Sequence, residues 1–510
     1  MSRASIIAPM RGPDESLPIA VYSASQVREL DRRASAELSV PSFELMSRAG
    51  AQALRVLRRR WPDARAVVVL CGAGNNGGDG LVLARLAKAE SLEVRVLAVA
   101  PPEQLKGDAK HALEECVAAG IAVERFAGIP SGIAATQTVI VDALLGIGVD
   151  RPLEGDYAAA VAAANASGLP ILALDVPSGL HADLGLPFGE PIRASATVTF
   201  VGLKQGLYLG RACDYTGPLE LADLGLPAEL AHGLTPALTR LACAELKRAL
   251  PPRRRSAHKG TSGRLLLYGG GPGMAGAIRL AAEAALRVGA GLVYVATHDD
   301  SVAAVRDGRA EVIVHAVDAA TELDPLVALA DAAVVGPGLG LSAWARAGVR
   351  RLLDSALPLV VDADGLNLLA ESPVKRGRWI LTPHPGEAAR LLESSVEQVE
   401  RDRLAAVRAL AARYDGVAVL KGAQTLVASG DATPGVCDRG NPGMATAGMG
   451  DVLAGVLGGL LVQTRDLRAS ARAGVLLHAL AGDDAAAAGQ RGTLAADLMP
   501  HLRRWANPTA

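Results

Sequence analysis

The residues of this chain best suited to chemistry stand at the ends of short apolar runs. In "CGAGNNGGDG", residues 71–80, Asn75, Asn76 and Asp79 place amide and carboxylate groups where a strand-to-helix turn would need only small residues. "VIVDALLGIGVDRPLEG" ends a second run at Asp142, and "ILALDVPSGL" ends a third at Asp175 and Ser178. If the runs are parallel strands, their ends share one edge, and Asn76, Asp142, Asp175 and Ser178 can converge on a ligand or a cation. Lys204, after the next run in "FVGLKQGLYLG", could supply a proton to the same cleft. Gly72, Gly74 and Gly77 satisfy the G-x-G-x-x-G pattern that rests a pyrophosphate on a helix start. An ordinary NAD-dependent dehydrogenase is nevertheless disfavoured. The following run ends in Ala98, Val99 and Ala100 and lacks the carboxylate that would hold a ribose hydroxyl.

The second half carries a different chemistry. In "NPGMATAGMGDVLAGVLGGLL", Gly448 and Gly450 leave backbone N–H groups free at a helix start, and Asp451 begins that helix. Such a start binds phosphate and sets a carboxylate beside it, the arrangement that phosphoryl transfer requires. "TPHPGEAARLL" adds His384 and Glu387 at another strand end, and "VLKGAQTLV" adds Lys421 and Thr425 on a turn between strands. A second G-x-G-x-x-G stands at Gly271, Gly273 and Gly276, whereas the usual nucleotide P-loop sequence does not occur.

Elements must position these groups. Ser23, with Gln26 three residues on, predicts a capping box opening the helix "SQVRELDRRASAEL", so sustained order should begin near Val21, after a frayed extension over residues 1–20. Strands are expected at "ARAVVVL", "EVRVLAVA", "TVIVDALL", "PILALDV" and "ATVTFVG", separated by Ala-rich helices, the signature of a parallel sheet covered on both faces. "TGPLELADLGLPAEL" breaks this rhythm. A second series runs through "GRLLLYGG", "GLVYVAT", "DAAVVGPG", "LPLVVDADG", "RWILTPH" and "GVAVLKGA", and its last and longest helix is expected to begin near Asp451. The reading is thus α/β in two domains, 21–230 and 246–510, joined by a linker at 231–245.

Composition narrows the class. Of 510 residues, 50% are hydrophobic but only 3% aromatic, so the core must be built from Ala, Val and Leu. A net charge of -1 with interspersed signs draws the chain to neither nucleic acid nor anionic lipid. The run Arg253 to Arg255 is a dense basic cluster, either a solvated linker or a phosphate contact. Five scattered cysteines argue against a zinc site and a disulfide framework, and no signal peptide or membrane span is legible, so a soluble cytoplasmic protein is expected.

Together "CGAGNNGGDG", "VDALLGIG", "LDVPSG", "HKGTSG", "TPHPGE", "LKG..T" and "TAGMGDVLAG" resemble the bifunctional NAD(P)H-hydrate repair enzymes, in that family's domain order and from about Val21 onward. The resemblance implies an N-terminal Rossmann-like αβα sandwich that epimerises NADH and NADPH hydrates. It would bind them through Asn75, Asn76, Gly77, Gly78 and Asp79, through Gly146, Ile147, Gly148, Val149, Asp150, Arg151 and Pro152, and through Asp175. Potassium would sit among Asn76, Asp142 and Ser178, with Asp175 as the acid/base and Lys204 assisting. It also implies a C-terminal ribokinase-like domain that dehydrates the S hydrate at the expense of ADP, with magnesium bridging the phosphates. There Asp451 would be the base; Lys421, Gly422, Ala423, Gln424, Thr425 and Gly450 would hold the nucleotide; and Ala277, Gly338 and His384 would face the hydrate. A homotetramer or larger assembly is implied as well. The chain departs from the pattern at "GGGPGM", where relatives commonly have a serine, and at Met449, where Thr is common. Two rival readings are a vitamin-precursor or sugar kinase and, for the first half, a binding module.

Overall fold

A computed structural model describes residues 17–130 and 137–508. The chain divides into two compact units, one spanning Ala20–Leu238 and the other Thr239 onward with the residues up to Ile19. Residues 1–16 of the expected extension lie outside the described residues. Leu17 and Ile19 are held rather than frayed, because their carbonyls accept hydrogen bonds from the Arg240 guanidinium and backbone N–H.

The first unit contains β1 (Ala20–Tyr22), β2 (Ala66–Cys71), β3 (Glu93–Ala98), β4 (Val123–Arg125), β5 (Thr138–Ala143), β6 (Ile171–Leu174), β7 (Ala196–Phe200), β8 (Leu203–Lys204) and β9 (Leu219–Ala222). Seven of them form a parallel sheet in the order β4-β3-β2-β5-β6-β7-β9. The central strands β2 and β5 are runs of Val, Ile and Leu because helices bury both faces. The five predicted strands are all present. The segment expected to interrupt the rhythm supplies β9, a parallel edge strand whose half-exposed residues "LELA" do not make a buried apolar run. Ser23 caps the helix Ala24–Leu38 with a complete capping box, as its spacing predicts.

The second unit contains β10 (Leu238–Arg240), β11 (Arg264–Tyr268), β12 (Leu292–Thr297), β13 (Ile313–Ala316), β14 (Ala332–Val335), β15 (Leu359–Val361), β16 (Trp379–Leu381), β17 (Val417–Leu420), β18 (Leu426–Ser429) and β19 (Gly435–Val436). The neighbours run β13-β12-β11-β14-β15-β16-β17 in parallel. An antiparallel hairpin, β17 to β18, then continues to β19, which pairs with β10. β10 and the helix Cys243–Ala249 occupy much of the stretch read as a linker.

The helix that begins at Met449 is neither last nor longest. It ends at Thr464, where Arg465 takes a left-handed conformation, and Asp466 then caps the longer helix Leu467–Ala485. A change of backbone hand and a new cap divide what composition alone reads as one apolar stretch.

With so few aromatics, the core is filled by bringing backbones close. A Cβ on Gly455 would lie 2.0 Å from the Ala281 carbonyl oxygen on the helix Ala275–Arg287. Gly455→Ala should therefore cost about 2–3 kcal/mol, read by urea unfolding. Gly276→Ala, which meets nothing within 4 Å, should be neutral or slightly stabilising. Equal losses in both would refute this account.

Candidate functional site

In the first unit, the turn after β2 leads directly into the helix Asn75–Ala89, with Gly74 at its N-cap and no side chain capping it. Its glycines are required by close approach: a Cβ on Gly72 would lie 1.9 Å from the Leu144 carbonyl oxygen, and one on Gly77 2.1 Å from the Gly72 carbonyl. Gly78 instead faces the Met46 side chain.

Beside this turn the polar strand ends meet. The Ser178 hydroxyl donates to Asp142 Oδ1 at 2.6 Å, and the Ser178 backbone N–H donates to Oδ2 at 2.8 Å. Ser178 Oγ also accepts from Leu145 N–H, whose carbonyl accepts the Asn76 amide at 3.0 Å. All three side chains are buried, yet Asn76 Oδ1 has no partner among the described residues. Burial pushes the Asp142 carboxyl up to about 6 against the bonds from Ser178 and Leu144. A carboxylate, a hydroxyl oxygen and an unpaired amide oxygen are the donor types that a hard cation takes.

Next to them, Asp175 pairs with the fully buried Lys204. The ammonium also donates to Thr199 Oγ1 at 3.1 Å and the Phe200 carbonyl at 2.6 Å. Asp175 has φ of 64°, a left-handed backbone that turns the chain after β6. A Cβ on Gly146 would sit 3.3 Å from Asp175 Oδ2 and 3.6 Å from Asn76 Cβ, so these three residues line one cleft. Two further carboxyls feel the same pair. Asp31 is pushed up to about 6 and Asp79 well above its ordinary value, both chiefly by burial, with Asp175 adding repulsion and Lys204 opposing it. Of the rest of the predicted loop, Ile147 offers its carbonyl to Arg28 and Val149 packs inside. Asn75, Gly148, Asp150, Arg151 and Pro152 are exposed, and the structure places none of the last three against Asp175.

In the second unit, Gly448 takes φ of 89° and opens the helix Met449–Thr464 with no side-chain cap. Asp451 stands in its first turn. Burial, reinforced by the nearby Asp362 carboxylate and opposed by Lys421, pushes Asp451 up to about 7. Lys421 Nζ lies 2.7 Å from Asp362 Oδ1 and 3.8 Å from Glu387 Oε2. A Cβ on Gly450 would be 3.4 Å from Lys421 Nζ and 3.7 Å from Asp362 Oδ2. One ammonium thus stands among Asp362, Glu387 and the helix start. His384 caps the helix Pro385–Leu392: its Nδ1 accepts from Gly386 N–H, and its own N–H donates to Glu387 at 2.8 Å. Burial and the Lys421 charge lower the His384 pKa.

Gly422, Ala423, Gln424 and Thr425 form the turn between β17 and β18, closed by Thr425 Oγ1 donating to the Gly422 carbonyl at 3.0 Å. The buried Arg403 holds that turn from below by donating to the Lys421 carbonyl at 3.0 Å. Gly338 and Ala277 adjoin, since a Cβ on Gly338 would be 3.0 Å from Ala277 Cβ.

Sequence reasoning did not single out Asp31 or Asp362. Asp362 ends "LVVDADG" as Asp142 and Asp175 end their strands, so the same signal marked it. Asp31 was legible only as a charge beside the apolar stripe Val27, Leu30 and Ala34.

The family profile described as NAD(P)H-hydrate dehydratase matches residues 265–504, and the one described as YjeF-related protein N-terminus matches residues 42–206. The bifunctional NAD(P)H-hydrate repair enzyme of Coxiella burnetii is 47% identical over 489 residues, covering 96% of this chain and 99% of that protein. Its Escherichia coli counterpart is 45% identical, covering 97% and 95%. The crystal structure of a ribokinase-like superfamily protein from Enterococcus faecalis is 29% identical with a TM-score of 0.50, covering 53% of this chain and 95% of that one. The second unit is therefore ribokinase-like, and the first is a Rossmann-like parallel sheet. With near-complete relatives at this identity and both family profiles in order, the chain belongs to the bifunctional NAD(P)H-hydrate repair enzymes.

Proposed function

We propose that the chain restores NADH and NADPH from their hydrates, the first unit interconverting R and S epimers and the second dehydrating the S form with ADP. The observation that carries this reading is Asp451, a carboxyl near neutrality in the first turn of an uncapped, glycine-opened helix beside Lys421. Hydroxide leaves poorly. Asp451 accepts the proton of the hydrate's hydroxyl as its oxygen takes the terminal phosphoryl group of ADP, releasing AMP. Phosphate then departs with its carbon–oxygen bond, a ring proton is lost, and the double bond is restored. The N–H groups around Gly448 to Gly450 stabilise the transferring group, and Lys421 to Thr425 with Gly450 hold the nucleotide. Ala277, Gly338 and His384 face the hydrate. Magnesium, when bound, neutralises the nucleotide's phosphates; Asp362 and Lys421 fix the charge balance where those phosphates lie.

In the first unit, Asp175 moves the proton and Lys204 holds it in place. The residues 75–79, the residues 146–152 and Asp175 bind the hydrate. Asn76, Asp142 and Ser178 would hold potassium, the unpaired Asn76 Oδ1 being the group that fits it, and the ion would supply positive charge at the phosphate-binding turn. Among the described residues no helix is long and apolar enough to cross a membrane. We place the protein in the cytoplasm as a homotetramer or larger assembly. The test is conversion of racemic NADH hydrate followed by NADH absorbance: full conversion that requires ADP is expected. A stop near half would refute the epimerase reading, a stable phosphorylated product would favour a kinase, and no conversion would refute the whole.

A further inference from the structure

A cavity of about 1030 Å³ in the second unit is distinct from the site at Asp451. It is lined by the segments that precede β11, β12 and β13, with Gln463 from the far end of the helix Met449–Thr464. Those strands are parallel, so the cavity lies on the sheet edge opposite the strand ends that carry Asp362, His384 and Lys421. Twelve residues of helix between Asp451 and Gln463 put about 18 Å between the two places.

Its lining is strongly basic. Arg253, Arg254, Arg287, Arg309 and Arg503 face it against Glu283 and Glu311. Glu283 is already shared by Arg287 and Arg309. Arg253 is fixed in place, donating to the Gly289 carbonyl and, at 2.9 Å, to Gln463 Oε1. Arg254 and Arg503 form no ion pair and no side-chain hydrogen bond among the described residues, whereas Arg287 and Arg309 on the same wall pair with Glu283. Arg253 satisfies a carbonyl just after the helix Ala275–Arg287 and Arg503 stands in the last turn of the helix Leu498–Trp505, whereas Arg254 lies outside any helix. The hydroxyl-bearing Ser256, Thr261 and Ser262 add donors to the same wall.

We infer that this cavity is a second binding site, for a compact polyanion bearing three or more phosphates, a class that excludes ADP. Guanidinium forks match phosphate oxygens in pairs, a pre-fixed Arg253 lowers the ordering cost, and the volume is that of a small-molecule site. Arg253 and Arg254 of the basic run 253–255 thereby acquire a role outside the repair reaction.

The test is calorimetric titration of the full chain with inorganic tripolyphosphate in saturating ADP at low salt. One saturable event per chain is expected, weakening steeply with added NaCl. The exposed double variant Arg254→Ser/Arg503→Ser should bind at least tenfold more weakly and keep its ADP-dependent turnover. Absence of saturable heat, unchanged binding in the double variant, or binding that vanishes as ADP is raised would each overturn the inference, the last by placing the anion in the nucleotide site.

Discussion

Asp451→Asn is expected to lower ADP-dependent recovery of NADH from the S hydrate by at least about 10³-fold in kcat while making the protein more stable above neutral pH. The first effect follows from loss of the carboxyl that stands in the first turn of the phosphate-binding helix to take the hydroxyl proton. The second follows from the carboxyl's environment. Burial beside Asp362 raises its pKa to about 7, above that of an unfolded chain. A raised carboxyl contributes stability while protonated and loses it as pH climbs from the unfolded value through about 7. At pH 8 the ionised side chain therefore costs free energy, on the order of 1 kcal/mol after screening, that Asn does not. Thermal unfolding at pH 8 and pH 5 should show a larger advantage of the variant at the higher value. The native rate should fall as pH drops below about 7, because the base must be ionised. A variant that keeps its rate, or one destabilised at pH 8, would remove Asp451 from the role of base.

Asp175→Asn should abolish epimerisation and leave dehydration intact, so that racemic hydrate is converted only to about one half within the time that spontaneous epimerisation allows. Asn is chosen over Ala for two reasons. The residue stands at φ of 64°, a conformation that Asn adopts far more readily than residues without a short polar side chain. The Lys204 ammonium is also buried, and truncation would strip it of its partner at a cost of about 3–5 kcal/mol. Asn keeps an acceptor, and Asp31 and Asp79 remain as nearby carboxyls, so a smaller loss is expected in urea unfolding. Full conversion of both epimers by this variant would show that another group moves the proton.

Much of the architecture was written in the periodicity. Apolar runs ending in Asp142, Asp175 and the glycine turn at 72–80 required parallel strands, since buried carboxylates at run ends make sense only on a shared sheet edge. The capping box at Ser23 and the glycine-opened helix at Met449 were legible for the same reason: local backbone groups need partners that nearby residues supply. Short, half-exposed strands such as β4, β9 and β13 were not legible, because edge positions bury too little to leave an alternating or continuous apolar signal.

What the sequence by itself determined was therefore the kind of chemistry at each strand end and the fold class that gathers it: carboxylates, amides and glycine-opened helix starts in two α/β units. What only the tertiary structure decided was which groups share a field. Lys421 lies 2.7 Å from Asp362 though 59 positions separate them, and Asp31 feels Asp175 and Lys204 from a helix at the other end of its unit's chain. The balance of charges that brings Asp451 near neutrality, and leaves Arg254 and Arg503 without partners on the far edge, depends on burial and through-space distance. Neither quantity has a local signature in the order of residues.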